Sequence, residues 1–148
     1  MSNRRVNEID NYFRVKIESA SPMTLIHMVY DRAIKTLNDS RVFIEGRDRD
    51  KFGEAVMHAQ DCIRELRTSL NLELGEVPQN LYKLYDFMIN QLVESAITRE
   101  NPLIYVNRVL KMLVDLQNTW RQAEKNLQNQ KQVVRPAASE YKSFSLVG

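Results

Sequence analysis

Few side chains in this sequence could do chemistry, and their spacing rules out most of it. There are two histidines, His27 and His58, and one cysteine, Cys62. A carboxylate di-iron centre in a helical bundle needs two Glu-x-x-His units facing inward. His58 follows Glu54 at a spacing of four, and His27 has Thr24 where the glutamate would stand. That reading fails on histidine count and on spacing, so no metal is expected. Both histidines project onto polar or boundary positions and read as surface or rim residues. A single cysteine excludes an intrachain disulfide and a cysteine-rich zinc site. Cys62 falls in the middle of an apolar stripe, where a thiol is structural; a nucleophile would want a nearby histidine and an electropositive site. The 4 glycines are scattered singly, so there is no phosphate-cradling loop. Arg47, Arg49 and Lys51 alternate with Asp48 and Asp50, which makes a solvated turn rather than a phosphate strip. No catalytic residue and no cofactor is expected.

Composition points the same way. The chain has 148 residues, 43% hydrophobic and 27% charged, enough for one domain with a sizeable core. A net charge of +2 offers no argument for nucleic acid or an anionic membrane surface. No run of 18 apolar residues occurs and the N-terminus lacks a signal-peptide core, so a cytoplasmic protein with no membrane insertion is expected. Only 4 Gly and 4 Pro occur, too few for the many turns of a sandwich.

The elements follow from apolar periodicity. Residues 1–20 are an N-terminal arm, extended or a short helix, with Val6, Ile9, Phe13 and Ile17 at spacings of three and four and Tyr12 beside them. Ser21-Pro22 is a cap followed by a proline in the first helical position, and starts a helix over 22–44. Ile26, Val29, Tyr30, Ala33, Ile34, Leu37 and Ile44 are its core stripe, and Gly46 is expected to end it in the left-handed conformation. Asp48 or Asp50 caps a second helix over 49–70, whose stripe (Phe52, Ala55, Val56, Ala59, Cys62, Ile63, Leu66, Leu70) is only about 120° wide. After a connection over 71–77, a third helix spans 78–98. Asn101-Pro102 opens a fourth, over 102–130, lined by Val106, Val109, Leu110, Leu113, Leu116, Trp120, Ala123 and Leu127. Residues 131–148 form a tail with no clear period, mobile or docked only by Tyr141 and Phe144. The expected fold is all-α: an antiparallel up-down four-helix bundle over 21–130, with the arm before it and the tail after it.

The third helix carries more apolar surface than one core face needs. Leu81, Leu84, Met88 and Leu92 form a stripe, and Tyr82, Tyr85, Ile89, Val93 and Ile97 fall beside it. Together they cover about 200° of the projection, where a core stripe takes somewhat over 100°. On the fourth helix Tyr105 and Met112 widen the arc in the same way. Periodicity leaves three uses open: a central helix, a homodimer interface, or a groove for a partner helix.

Several segments, in order, resemble the FliS family of flagellin export chaperones. Tyr12 precedes Ser19-Ala20-Ser21-Pro22. Leu25 to Ile34 (LIHMVYDRAI) is similar to the family's L-x-x-M-L-Y-D-G-A-I. Ala59-Gln60-Asp61 and Leu66 through Leu70 follow, then Asn80 to Leu92 (NLYKLYDFMINQL) against N-L-x-x-L-Y-D-Y-M-x-x-x-L. The series closes with Val109, Leu113, Leu116 and the family's near-standard Trp120. Arg32 replaces a common glycine, Asn90-Gln91 a basic pair, and Ser95-Ala96 an Ala-Asn pair.

The resemblance implies a cytoplasmic, non-enzymatic chaperone. Its partner would be the disordered C-terminal segment of flagellin, which folds into helices in hydrophobic grooves and is thereby kept from polymerising. The complex would go to a flagellar export-gate membrane protein of the type III apparatus, with a co-chaperone or homodimer as a further partner. The expected groove residues are Leu25, Met28, Tyr82, Tyr85, Ile89, Val93, Val109, Met112 and Leu116, with Ile9, Tyr12 and Phe13 as a capping arm. Trp120, Leu84, Leu92 and Leu113 are expected in the core. The alternative is a homodimeric adaptor or regulator of another flagellar client built on the same bundle.

Overall fold

The computed structural model describes residues 22–133, with side chains to residue 130. Four helices follow one another: α1 (Pro22–Glu45), α2 (Arg49–Thr68), α3 (Glu76–Ile97) and α4 (Leu103–Val133), with a 3-10 turn at Leu72–Leu74 before α3. No strand occurs among the described residues. The expected helices are all present, with ends shifted by up to three residues. Residues 131–133, expected to open the tail, continue α4. The expected arm over 1–20 and the tail from 134 onward lie outside the described residues, as does the Ser21 cap.

Each helix packs against two neighbours, α1 on α2, α2 on α3, α3 on α4 and α4 on α1. Cross-helix bonds show the directions. His27 meets Glu124 while Asp31, further along α1, meets Gln117, earlier on α4. Arg49, at the start of α2, bonds the Thr98 carbonyl past the end of α3, and Arg67, at the other end of α2, bonds Asp86. Neighbours therefore run antiparallel, in an up-down bundle with short connections.

The core is mostly apolar, with one hydrogen-bonded group across the diagonal. Tyr30 of α1 and Tyr85 of α3 are buried, with their hydroxyl oxygens 2.7 Å apart. The Trp120 indole N–H of α4 donates to the Tyr30 oxygen at 3.1 Å. Buried hydroxyls need such partners, because an unpaired one keeps the full cost of leaving water. Leu37, Met88, Leu92, Val106, Val109 and Leu113 pack around them, and α2 supplies the small Ala59 and Cys62 beside Phe52, Val56 and Ile63. Cys62 is a buried thiol whose pKa is pushed up, chiefly by burial. Ser40 and Ser95 are buried and donate to the carbonyls of Leu37 and Leu92, three residues back.

The helix ends follow capping chemistry, with two corrections. Asp48 caps α2, its side chain accepting from the Lys51 N–H at 3.1 Å, and Asp50 lies in the first turn. The left-handed residue after α1 is Arg47, φ 59°, not Gly46. The bonds Asp48 N–H to Phe43 O (2.9 Å) and Arg47 N–H to Ile44 O (3.1 Å) form a Schellman closure that sets the turn one residue later. Asn101 also stands at positive φ (49°) and α4 begins at Leu103, so the expected Asn-Pro start is a left-handed step, which asparagine tolerates. Gly75 before α3 has φ 124° and ψ −157°, a conformation only glycine adopts readily, although a Cβ would find open space there.

Replacing Tyr30 with Phe removes the acceptor of the Trp120 N–H and the partner of the Tyr85 hydroxyl. We expect Tyr30→Phe to cost about 1–3 kcal/mol in urea unfolding, less when Tyr85→Phe is added. Burial raises the pKa of both tyrosines above 10.0 in the folded state. Their contribution is therefore complete below the ordinary tyrosine pKa and is lost as pH rises beyond it. Alkaline loss of stability should be shallower in the double Phe variant.

Candidate functional site

Polar contacts bridge one end of the seam between α1 and α4; further along it Ile34, Arg41, Leu110 and Val114 line an open cleft. His27 Nε2 lies 3.1 Å from Glu124 Oε2, and Gln117 Nε2 donates to Asp31 Oδ1 at 2.8 Å. Arg121 adds its charge 3.9 Å from Asp31. His27 is thus half-buried in an interhelix contact, unlike exposed His58; the sequence reading placed both on the surface or rim. Among the described residues, no group of three His, Cys, Asp or Glu side chains is placed to hold a metal ion.

The two edges of α3 are different. On the α2 side, Arg67 reaches Asp86 at 2.8 Å and lies over the Tyr82 ring, 5.4 Å from its centroid. Val93 is seven residues beyond Asp86 and Ile97 four further, so both continue this edge. Tyr82, Val93 and Ile97 are exposed. On the α4 side, Gln91 accepts a hydrogen bond from Arg108 Nη1. Leu84 and Phe87, seven and four residues before Gln91, continue that edge and are 38% and 44% exposed. The Gln91–Arg108 register of the antiparallel pair puts Phe87 at the level of Met112 and Leu84 near that of Leu116. Met112 and Leu116 are half-buried against the core. Two apolar strips therefore flank α3, one along each seam.

The expected groove residues divide into three groups. Tyr82 and Val93 lie on the α2-side strip; Met112 and Leu116 lie on the α4-side seam. Tyr85, Ile89 and Val109 are core, at 2%, 6% and 0% exposure, and this corrects the sequence reading. Leu25 and Met28 are half-buried on α1, which packs on α2 and α4 and lies across the bundle from α3. The structure does not bring them to either strip. Ile9, Tyr12 and Phe13 lie outside the described residues.

Leu84 is the converse correction, expected in the core and found exposed. Sequence reasoning missed Phe87 altogether. The cause is a rotation of the true stripe, which runs Leu81, Tyr85, Met88, Ile89, Leu92 and Ser95. The position of Tyr85, with Leu81 and Ile89 four residues to either side, was the available signal: centring the wheel there puts Leu84 about 100° and Phe87 about 160° from the core.

The FliS family model, described as flagellar protein FliS, matches residues 5–127. The chain belongs to the FliS family. Among the relatives, the flagellar secretion chaperone FliS of Salmonella typhimurium is 34% identical over 120 residues, 77% of this chain and 87% of that protein. The Vibrio cholerae protein of the same name is 28% identical over 116 residues, 75% of this chain and 84% of that one. The Bacillus subtilis protein is 26% identical over 117 residues, 79% and 86% of the two chains. The match includes α1 to α3 and most of α4, and so the residues of both strips. Among the described residues, no helix is long and apolar enough to cross a membrane.

Burial separates groove from core by experiment. Phe87→Asp should leave the melting temperature within about 3 °C of the parent, since surface changes stay within about 0.5 kcal/mol. Ile89→Asp places a carboxylate in the core and should unfold the protein or lower its melting temperature by more than about 10 °C. Thermal melts followed by circular dichroism check both.

Proposed function

We propose that this protein is a cytoplasmic, non-enzymatic export chaperone that holds the C-terminal segment of flagellin on the two strips beside α3. The observation that carries this reading is the exposure of Tyr82, Leu84, Phe87 and Val93 on a helix whose core face is already complete. Membership of the FliS family supports it, and the relatives are named flagellar secretion chaperones.

The chemistry suits an amphipathic helix laid lengthwise. Such a ligand presents apolar side chains at i, i+3, i+4 and i+7, which meet a strip built on the same period. Aromatic and methionine side chains give large contact area and adapt in shape. A client that is disordered when free folds as it binds. Coupled folding of this kind covers about 1,000–3,000 Å² and costs several kcal/mol in ordering, so the complex stays releasable. Covering the client's apolar face keeps it from assembling before export. Release at a flagellar export-gate membrane protein then needs no reaction on the chaperone. The Ile9, Tyr12 and Phe13 arm is assigned the role of covering a strip before the client arrives.

Calorimetric titration with a synthetic peptide of the C-terminal segment of the same organism's flagellin tests the reading. One-to-one binding with a gain of helix by circular dichroism is expected, and Phe87→Asp should weaken it at least tenfold. Absence of heat at high micromolar peptide would overturn the reading. A mass that doubles with concentration in light scattering would then favour a homodimeric adaptor.

A further inference from the structure

Two arginines lie over tyrosine rings in this bundle, one beside each edge of α3, and their charges are handled differently. Arg67 sits 5.4 Å from the Tyr82 centroid and its Nη1 donates to the Asp86 carboxylate at 2.8 Å, so its charge is compensated within the fold. Arg108 sits 6.0 Å from the Tyr105 centroid and its Nη1 donates to the Gln91 side-chain oxygen. An amide carries no charge. Among the described residues, no carboxylate lies within ion-pair distance of Arg108.

Arg108 is also held in place. The ring beneath it and the amide across the seam restrain a side chain that would otherwise lose about 2 kcal/mol of rotamer freedom on engaging a ligand. A guanidinium has five N–H donors, and the bond to Gln91 uses one of them. The charge stands at one end of the apolar strip of Leu84 and Phe87, one helical turn from Met112 at the level of Phe87. A fixed, uncompensated cation beside an apolar strip attracts a helix with a carboxylate at its flank and repels one with a lysine or arginine there.

We propose that Arg108 is a specificity residue of the strip between α3 and α4, pairing with an aspartate or glutamate side chain of the client helix. The proposal rests on the client reading above. It specifies a spacing: the carboxylate lies three or four residues from the apolar side chain that seats on Phe87 and Met112, because Arg108 and Met112 are one turn apart. On the strip beside α2, Arg67 makes no such demand, since Asp86 already neutralises it.

The test is calorimetric titration of the full chain with the flagellin C-terminal peptide, and with a set in which each Asp or Glu is changed singly to Asn or Gln. The parent and Arg108→Met are compared at 0.05 M and 0.5 M NaCl, with thermal melts to confirm that the variant is folded. Arg108→Met should weaken binding about three- to tenfold at low salt and much less at high salt. One acidic position in the peptide should lose the same factor against the parent and nothing against Arg108→Met. Parent-like affinity of Arg108→Met at both salt concentrations would overturn the proposal, as would the lack of any coupled acidic position. If Phe87→Asp abolishes binding while Arg108→Met leaves it intact, only this inference falls. If the unmodified peptide does not bind at all, the client reading falls with it.

Discussion

The hydroxyl contact between Tyr30 and Tyr85 joins the two diagonal helices of the bundle through its centre. Helices on a diagonal do not share a seam, so little else fixes their relative height. Two buried hydroxyls meet at this distance in one register only; a slip of one residue, about 1.5 Å, would break their bond in an apolar core. The Trp120 N–H adds α4 to the same group. Bulky tyrosines at the centre then require small neighbours, and α2 meets that need with Ala59 and Cys62.

The same constraint explains why α3 has apolar surface to spare. Tyr85 takes the centre of the buried face, with Leu81, Met88, Ile89 and Leu92 around it. Side chains on the two edges, Tyr82 and Val93 on one and Leu84 and Phe87 on the other, are turned out by that orientation. A helix buried in a larger core would cover them with further elements. Here the neighbours are two slender helices, and the edges remain at the seams. By contrast, one end of the seam between α1 and α4 is bridged by polar pairs, His27 with Glu124 and Asp31 with Gln117.

Much of this was legible in the sequence. Long apolar periods, the Pro22 and Asp48 starts and the scarcity of turn residues determine four helices and short connections, because these signals are local. The narrow stripe of α2 and the buried Cys62 were readable for the same reason. The excess apolar arc of α3 was also plain, and with it the presence of a surface beyond the core. The short motifs around Tyr30 and Tyr85 carry much of the resemblance to the family, and they contain the residues that tie the bundle together.

What the sequence could not determine was the rotation of each helix about its axis. An arc of about 200° contains several positions for a core face of somewhat over 100°. Packing of Tyr85 against Tyr30 selected one of them, sent Ile89 and Val109 inward, and left Leu84 and Phe87 exposed. Leu25 and Met28 were separated from α3 by the order of helices around the bundle, which periodicity does not encode. Whether the charge of Arg108 is compensated likewise depends on which side chain stands across the seam, and only the tertiary structure puts Gln91 there rather than a carboxylate. Local chemistry determined the elements of this protein, and the mutual fit of its largest side chains decided which of their faces are left for a partner.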